Sequence, residues 1–84
     1  MSYSLFIEVR TDKELGKLPQ DAQDRIDEAI DDLADDPKPP ASRKLQGREG
    51  YRLRVGDYRV LYAVDDTEMR VIVTRVGHRK NVYR

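Results

Sequence analysis

Two strand-like segments separated by two turn residues constrain the fold of this chain more than any other feature. Residues 50–55 alternate apolar with charged side chains, and residues 58–64 are rich in the aromatic and β-branched types that favour strands. Gly56 and Asp57 lie between them and suit the two-residue turn of a β-hairpin. A third strand-like segment follows at 69–76 after a second turn. The second half of the chain therefore predicts three successive antiparallel strands.

The two-residue turn determines which side chains share a face of the hairpin. It sets Leu53 opposite Val60 on an apolar face that has to be covered, because side chains alternate between the two faces. Like charges directly opposite each other destabilise a strand pair. The other face, extended to the third strand, nevertheless collects four arginines, which indicates a surface for an anion: Arg52, Arg54, Arg59 and Arg70.

The first half of the chain predicts one strand and two helices. Residues 3–9 are rich in aromatic and β-branched types and predict a strand, and the capping-box pattern of residues 11–14 predicts that a short helix begins there. Pro19 suits the first turn of a second helix. That helix is predicted to continue to Asp36, because its apolar residues recur at helical spacing: Ala22, Ile26, Ala29, Ile30 and Leu33. The prolines of residues 36–42 then predict a connector.

We therefore expect one α+β domain over residues 1–84, with the element order β-α-α-β-β-β. Two N-terminal helices pack on one face of a mostly antiparallel, twisted sheet, and the other face is open and basic. A chain of 84 residues is too short for a second core of this kind.

Charge is divided unevenly along the chain, although the formal net charge is zero. Residues 1–42 carry five basic and eleven acidic side chains, and residues 43–84 carry eleven basic and five acidic ones. Nine of those eleven cations are arginines, whose planar fork matches phosphate oxygens better than lysine does. Solvated arginines on an ordinary sheet face are the alternative interpretation. The accumulation on one face favours a nucleic-acid surface.

Several classes of protein are excluded by residue content. The chain has no cysteine and one histidine, which excludes a disulfide framework, a thiolate nucleophile and a multi-histidine metal site. No segment predicts a signal peptide or a membrane span. We expect a cytoplasmic protein with no membrane association, no cofactor and no metal.

The last residues of the chain add cations and an aromatic ring. A lone histidine such as His78 is more often a surface or hydrogen-bonding residue than a catalyst. Tyr83 either packs its ring on the sheet edge or offers a stacking platform for an unstacked base.

Three blocks in this order, Lys44–Gly47, Tyr51–Tyr62 and Val76–Tyr83, resemble the RelE/ParE superfamily of bacterial toxins. The resemblance covers essentially the whole chain and is closest to the RelE branch. It implies a toxin of a type II toxin–antitoxin system, an mRNA interferase that acts in the A site of the 30S ribosomal subunit. It also implies a RelB-like antitoxin as the cognate partner, which would cover or distort the basic face.

The resemblance further implies a set of site residues. Functional positions of the RelE branch correspond to a catalytic set here: Arg52, Arg54, Arg59, Arg79 and Tyr83. The implied reaction is attack of a ribose 2′-OH on the adjacent phosphate, which gives a 2′,3′-cyclic phosphate without a metal. Some relatives have lysines where this chain has Arg52 and Arg54, and arginine hardly deprotonates. The general base therefore stays open, with Tyr83 as one candidate. Further RNA-binding candidates are Lys44, Arg48, Arg70, Arg75, His78 and Lys80.

Two other functions compete with the ribonuclease. A ParE-like poison of DNA gyrase would share the fold and the toxicity without RNA cleavage, although gyrase poisons of the superfamily generally lack the arginines with a terminal tyrosine. A detoxified or purely RNA-binding relative is the third alternative.

Overall fold

Five strands form one mixed sheet in the computed structural model, which describes residues 2–81. The elements in chain order are β1 (Ser4–Ile7), α1 (Val9–Gly16), α2 (Gln20–Asp32), β2 (Ser42–Lys44), β3 (Tyr51–Val55), β4 (Tyr58–Asp65) and β5 (Arg70–His78). The strands lie in the order β1-β5-β4-β3-β2. Strand β1 pairs with β5 in parallel, and every other pair is antiparallel. The predicted α+β class with a mostly antiparallel sheet is confirmed.

The predicted hairpin register is also confirmed. Tyr51 pairs with Tyr62, Leu53 with Val60, and Val55 with Tyr58. Gly56 occupies the turn with φ of +59°, a left-handed conformation that glycine adopts without steric cost. The opposite face carries Arg54 directly across from Arg59, and Arg52 across from Leu61.

Several elements differ from the sequence expectation. Strand β1 ends at Ile7 rather than at residue 9, and β5 extends to His78 rather than ending at residue 76. The capping box is wrong, because α1 begins at Val9 and Thr11 lies inside it, where its buried hydroxyl donates to the Thr74 carbonyl at 2.6 Å. Helix α2 ends at Asp32 rather than Asp36. Strand β2 was not predicted at all, since three residues after a proline-rich segment give too short a pattern to read as a strand.

A β-bulge in the β4–β5 pair changes the predicted face of the last residues of β5. Val73 pairs with Tyr62, but the next pair along the ladder is Arg75 with Leu61, so one extra residue of β5 lies between them. The alternation therefore reverses, and Val76 rather than Arg75 enters the core, with 2% of its surface exposed.

The core lies between α2 and the apolar face of the sheet. Ile26, Ile30 and Leu33 of the predicted helical stripe pack there against the inward residues of the strands. Tyr62 is buried among them, and its hydroxyl donates to the Pro37 carbonyl at 2.7 Å, which fastens the proline-rich connector to the sheet. None of the helices between residues 2 and 81 is long and apolar enough to span a membrane.

Candidate functional site

Two rows of arginines cross the sheet on the face opposite the helices. Arg43 of β2 pairs with Arg52 of β3, and Arg54 of β3 pairs with Arg59 of β4. Neighbouring strands are about 4.8 Å apart, and residues two apart on one strand are about 6.7 Å apart. The register therefore holds four cations within a small patch, which we call the arginine face.

Two adjoining clefts open on the arginine face. One has a volume of about 340 Å³ and is lined by Ala41 and all four arginines: Arg43, Arg52, Arg54 and Arg59. The other has a volume of about 430 Å³ and lies toward the β2–β3 loop, where Arg48 joins Arg43 and Arg52. Both clefts are therefore open grooves with guanidinium groups along their walls.

The charges of the arginine face are not compensated locally. Among residues 2–81, no Asp or Glu side chain lies within 4.0 Å of the guanidinium groups of Arg43, Arg52, Arg54 or Arg59. Arg59 donates from Nη1 to the carbonyls of Gly56 at 3.2 Å and Tyr58 at 2.9 Å, which fixes its orientation through neutral groups. Such a surface attracts a polyanion, and preorganised donors of this kind stabilise charge that develops on a phosphate during reaction.

Arg79 follows the end of β5 and lies beside the β3–β4 turn. Gly77 lies opposite Arg59 and contributes no side chain to the row. The backbone N–H of Arg79 donates to the Asp57 carbonyl at 2.9 Å, which fixes the chain beside the β3–β4 turn. The side chain of Arg79 is exposed. Tyr83, the fifth predicted catalytic residue, lies outside the described residues.

Arg70 and Arg75 do not join the patch as free cations. Arg70 donates to Asp65 at 3.2 Å, and Asp65 lies six residues along β4 from Arg59, a distance of about 20 Å. Hydrogen bonds from the Glu68 backbone and then from Arg70 lower the pKa of Asp65, so this pair is charged at neutral pH. Arg75 donates from Nε to Glu14 of α1 at 3.1 Å and is about three-quarters buried.

Two further predicted RNA-binding residues lie on the helix side of the sheet. Lys44 pairs with Tyr51 and His78 pairs with Tyr58, and both tyrosines belong to the apolar face. The His78 ring meets the Tyr58 ring edge-on at 5.8 Å, and its Nδ1 accepts the backbone N–H of Lys80 at 3.2 Å. The register therefore separates His78 from the arginine face, whereas Lys44, at the end of β2, also lines the cleft of about 430 Å³ together with Arg43 and Arg52. Lys80 is exposed in the turn after β5.

Arg43 is the member of the arginine face that the sequence pattern missed. Its position depends on β2, and a strand of three residues is too short to show an alternation of apolar and polar side chains. The available signal was the identity of its neighbours, since Arg43 and Lys44 continue the basic composition of the second half directly after the prolines.

Comparison with known proteins assigns the chain and its fold to a family. The model of the family described as "ParE toxin of type II toxin-antitoxin system, parDE" matches residues 5–83. The chain belongs to the RelE/ParE superfamily of toxins. Toxin RelG of Mycobacterium tuberculosis is 34% identical to this toxin over an alignment of 88 positions, gaps included, which covers 100% of this chain and 99% of RelG. The resemblance inferred from the three sequence blocks is thereby confirmed.

Solved structures agree with this assignment. In the RelE–RelB complex from Pyrococcus horikoshii OT3, the matching chain has a TM-score of 0.85 and 31% identity, with 98% of this toxin and 100% of that chain covered. In the toxin–antitoxin complex RelBE2 from Mycobacterium tuberculosis, the values are 0.82 and 30%, with 94% and 100% covered.

Proposed function

We propose that this toxin is an endoribonuclease that cleaves mRNA in the ribosomal A site. The observation that carries the proposal is the uncompensated arginine face, in which Arg52, Arg54 and Arg59 occupy one small patch and Arg79 is fixed beside it. The Rel names of the relatives point the same way. The toxin would act in the cytoplasm, where translating ribosomes are found.

The proposed reaction is a transfer within the RNA. The ribose 2′-oxygen forms a bond to the adjacent phosphorus, the bond from phosphorus to the 5′-oxygen of the next nucleotide breaks, and a 2′,3′-cyclic phosphate remains. The proton of the 2′-OH passes to a base, and the leaving 5′-oxygen takes a proton. Negative charge grows on the phosphorane, and fixed guanidinium groups stabilise it without reorganising. This chemistry requires no metal when the cations are already in place.

The arginines divide these tasks by position. Arg59, held by two backbone carbonyls, is oriented for the phosphorane oxygens. Arg54 lies directly across from it and favours the ionised 2′-oxygen electrostatically, because a guanidinium hardly deprotonates and is unsuited as the base. Arg79 is our candidate for a hydrogen bond that stabilises charge on the leaving oxygen, which takes its proton from water, and Tyr83 is our candidate for the proton acceptor.

A RelB-like antitoxin is the proposed protein partner. The relatives from Pyrococcus horikoshii and Mycobacterium tuberculosis were solved as complexes with antitoxins. The same uncompensated cations that suit RNA also suit acidic side chains of a protein, so we expect the antitoxin to compete with RNA for the arginine face.

The proposed function is tested by incubating purified toxin with ribosomes that carry a defined mRNA and mapping the cuts by primer extension. We expect cuts within the A-site codon, insensitivity to a metal chelator, and loss of cleavage in Arg79→Ala. Lys17→Ala is the matched control, since Lys17 is an exposed cation at the end of α1. Intact mRNA together with gyrase-linked DNA breaks in expressing cells would instead support the gyrase poison.

A further inference from the structure

We propose that Arg43, Arg48 and Arg52 form a second phosphate-binding subsite beside the proposed cleavage site. The ligand is the phosphate of a neighbouring nucleotide in the same single-stranded RNA. This inference rests on the proposed function. It adds two binding residues outside the predicted catalytic set, Arg43 of β2 and Arg48 of the β2–β3 loop, while Arg52 belongs to both sites.

The subsite is a cleft that adjoins the proposed cleavage site and shares Arg43 and Arg52 with it. The groove of about 430 Å³ adds Arg48 from the β2–β3 loop, and Lys44 also lines it. Among residues 2–81, none of the three guanidinium groups makes an ion pair. The cations of this groove repel one another, and a phosphate, which accepts from several guanidinium groups at once, would offset that repulsion.

Arg43 is oriented before any ligand arrives. Its Nη1 donates to the carbonyls of Pro40 and Ser42, both at 2.8 Å. Ser42 is itself fixed to the Pro39 carbonyl, through its hydroxyl at 2.7 Å and its backbone N–H at 2.9 Å. The remaining donors of Arg43, on Nη2 and Nε, contact no acceptor among the described residues and are available for a phosphate. The proline-rich connector thus restricts the conformations of the Arg43 side chain before binding, which reduces the conformational entropy that Arg43 loses when it binds a phosphate.

The spacing of the two rows fits consecutive phosphates of an extended strand. The row of Arg43 and Arg52 lies about 6.7 Å along the sheet from the row of Arg54 and Arg59. The two rows are therefore close enough for one single strand of RNA to contact both, and single strands are the form in which RNA bases are usually recognised.

The decisive experiment removes the charge from each partner in turn. Ribosomes are programmed with mRNA that carries one uncharged methylphosphonate linkage, moved one position at a time around the cleavage site. With the wild-type toxin, one linkage next to the scissile phosphate should lower kcat/KM by about 10-fold, the effect of one charge-assisted contact. Arg43→Gln should lose the same factor on normal mRNA and lose nothing further at that linkage. Wild-type activity of Arg43→Gln, or independent losses that multiply, would overturn the proposal.

Binding to free RNA gives a second measurement that does not depend on cleavage. A single-stranded oligonucleotide is titrated at several NaCl concentrations, and the logarithm of the association constant is plotted against the logarithm of the salt concentration. The steepness of this negative slope should decrease by about 0.7 in Arg43→Gln. It should stay unchanged in Lys17→Gln, and an unchanged slope in Arg43→Gln would contradict the subsite. If the wild type leaves ribosomal mRNA intact but this slope falls in the variant, the subsite stands and the ribonuclease does not.

A second variant separates binding from folding. Arg43→Gln removes the two bonds to the connector, whereas Arg48 makes no ion pair or side-chain hydrogen bond among the described residues. Arg48→Gln should therefore unfold at the wild-type temperature and still lose RNA affinity. Wild-type affinity in Arg48→Gln would remove Arg48 from the subsite.

Discussion

Arg54→Gln should make the toxin more stable and less active. Arg54 lies directly across from Arg59 and two residues from Arg52 on the same face, with no carboxylate within 4.0 Å among the described residues. Two unit charges about 6 to 7 Å apart in water repel by about 0.6 to 0.7 kcal/mol. Salt near 0.1 M roughly halves each repulsion, so removing Arg54 relieves about 0.7 kcal/mol in total. For a domain of this size, that corresponds to a rise in Tm of about 3 to 5 °C.

The assay is thermal unfolding of the purified free toxin, followed by circular dichroism at low and at high salt. Glutamine keeps an unbranched chain of similar length, so the change isolates the charge. The gain should vanish near 1 M NaCl, where charges farther apart than about 3 Å are screened. Lys17→Gln removes a cation from the end of α1 and should give no gain. An Arg54→Gln toxin that melts at or below the wild-type temperature at low salt would refute the claim of uncompensated charge.

Three further predictions concern stability. Tyr62→Phe should lower the free energy of unfolding by about 1 kcal/mol in a urea titration, because the bond to the Pro37 carbonyl is lost; an unchanged midpoint would contradict this. Gly56→Ala should cost about 1 kcal/mol by the same measurement, since alanine is strained at φ of +59°, and a neutral result would argue against that turn. The Tyr3 hydroxyl, and then Lys38, lower the pKa of Asp66, so its stabilising effect is present above the unfolded pKa of about 3.9 and is lost as pH falls through the folded value. In Asp66→Asn, Tm should therefore decrease less between about pH 4 and lower pH than it does in the wild type. An equally large decrease in both proteins would show that Asp66 does not cause it.

The fold was predictable wherever the pattern of apolar and polar residues was long enough to indicate one element and one register. The pairing of Leu53 with Val60 followed from the two-residue turn, and a slip by one residue would place the apolar residues in water. Strand β2 was not predictable, since three residues are held in place by the neighbouring strand and the proline connector rather than by their own pattern. The bulge opposite Leu61 was also hidden, because the residues around it read as an unbroken strand.

The candidate site was predictable to the extent that it lies on the hairpin. Arg52, Arg54 and Arg59 were assigned to one face by register alone. Composition, in contrast, could not show which arginines form ion pairs with carboxylates. Arg70 was assigned to the basic face, but it forms an ion pair with Asp65. His78 was counted among the RNA-binding candidates, but its ring contacts Tyr58 on the helix side of the sheet.

The zero net charge of the chain and its charged face are consistent once the charges are placed on the fold. The two helices carry half of the acidic side chains, while the arginine face has no carboxylate partner among the described residues, so its charges repel one another. A polyanion that binds there relieves the repulsion and also shifts folding toward the native state by mass action. Both RNA and an acidic segment of the antitoxin would relieve this repulsion, and both would do so by binding the same arginines. Inhibition by the antitoxin would then need no conformational change in the toxin, because the two ligands would exclude each other.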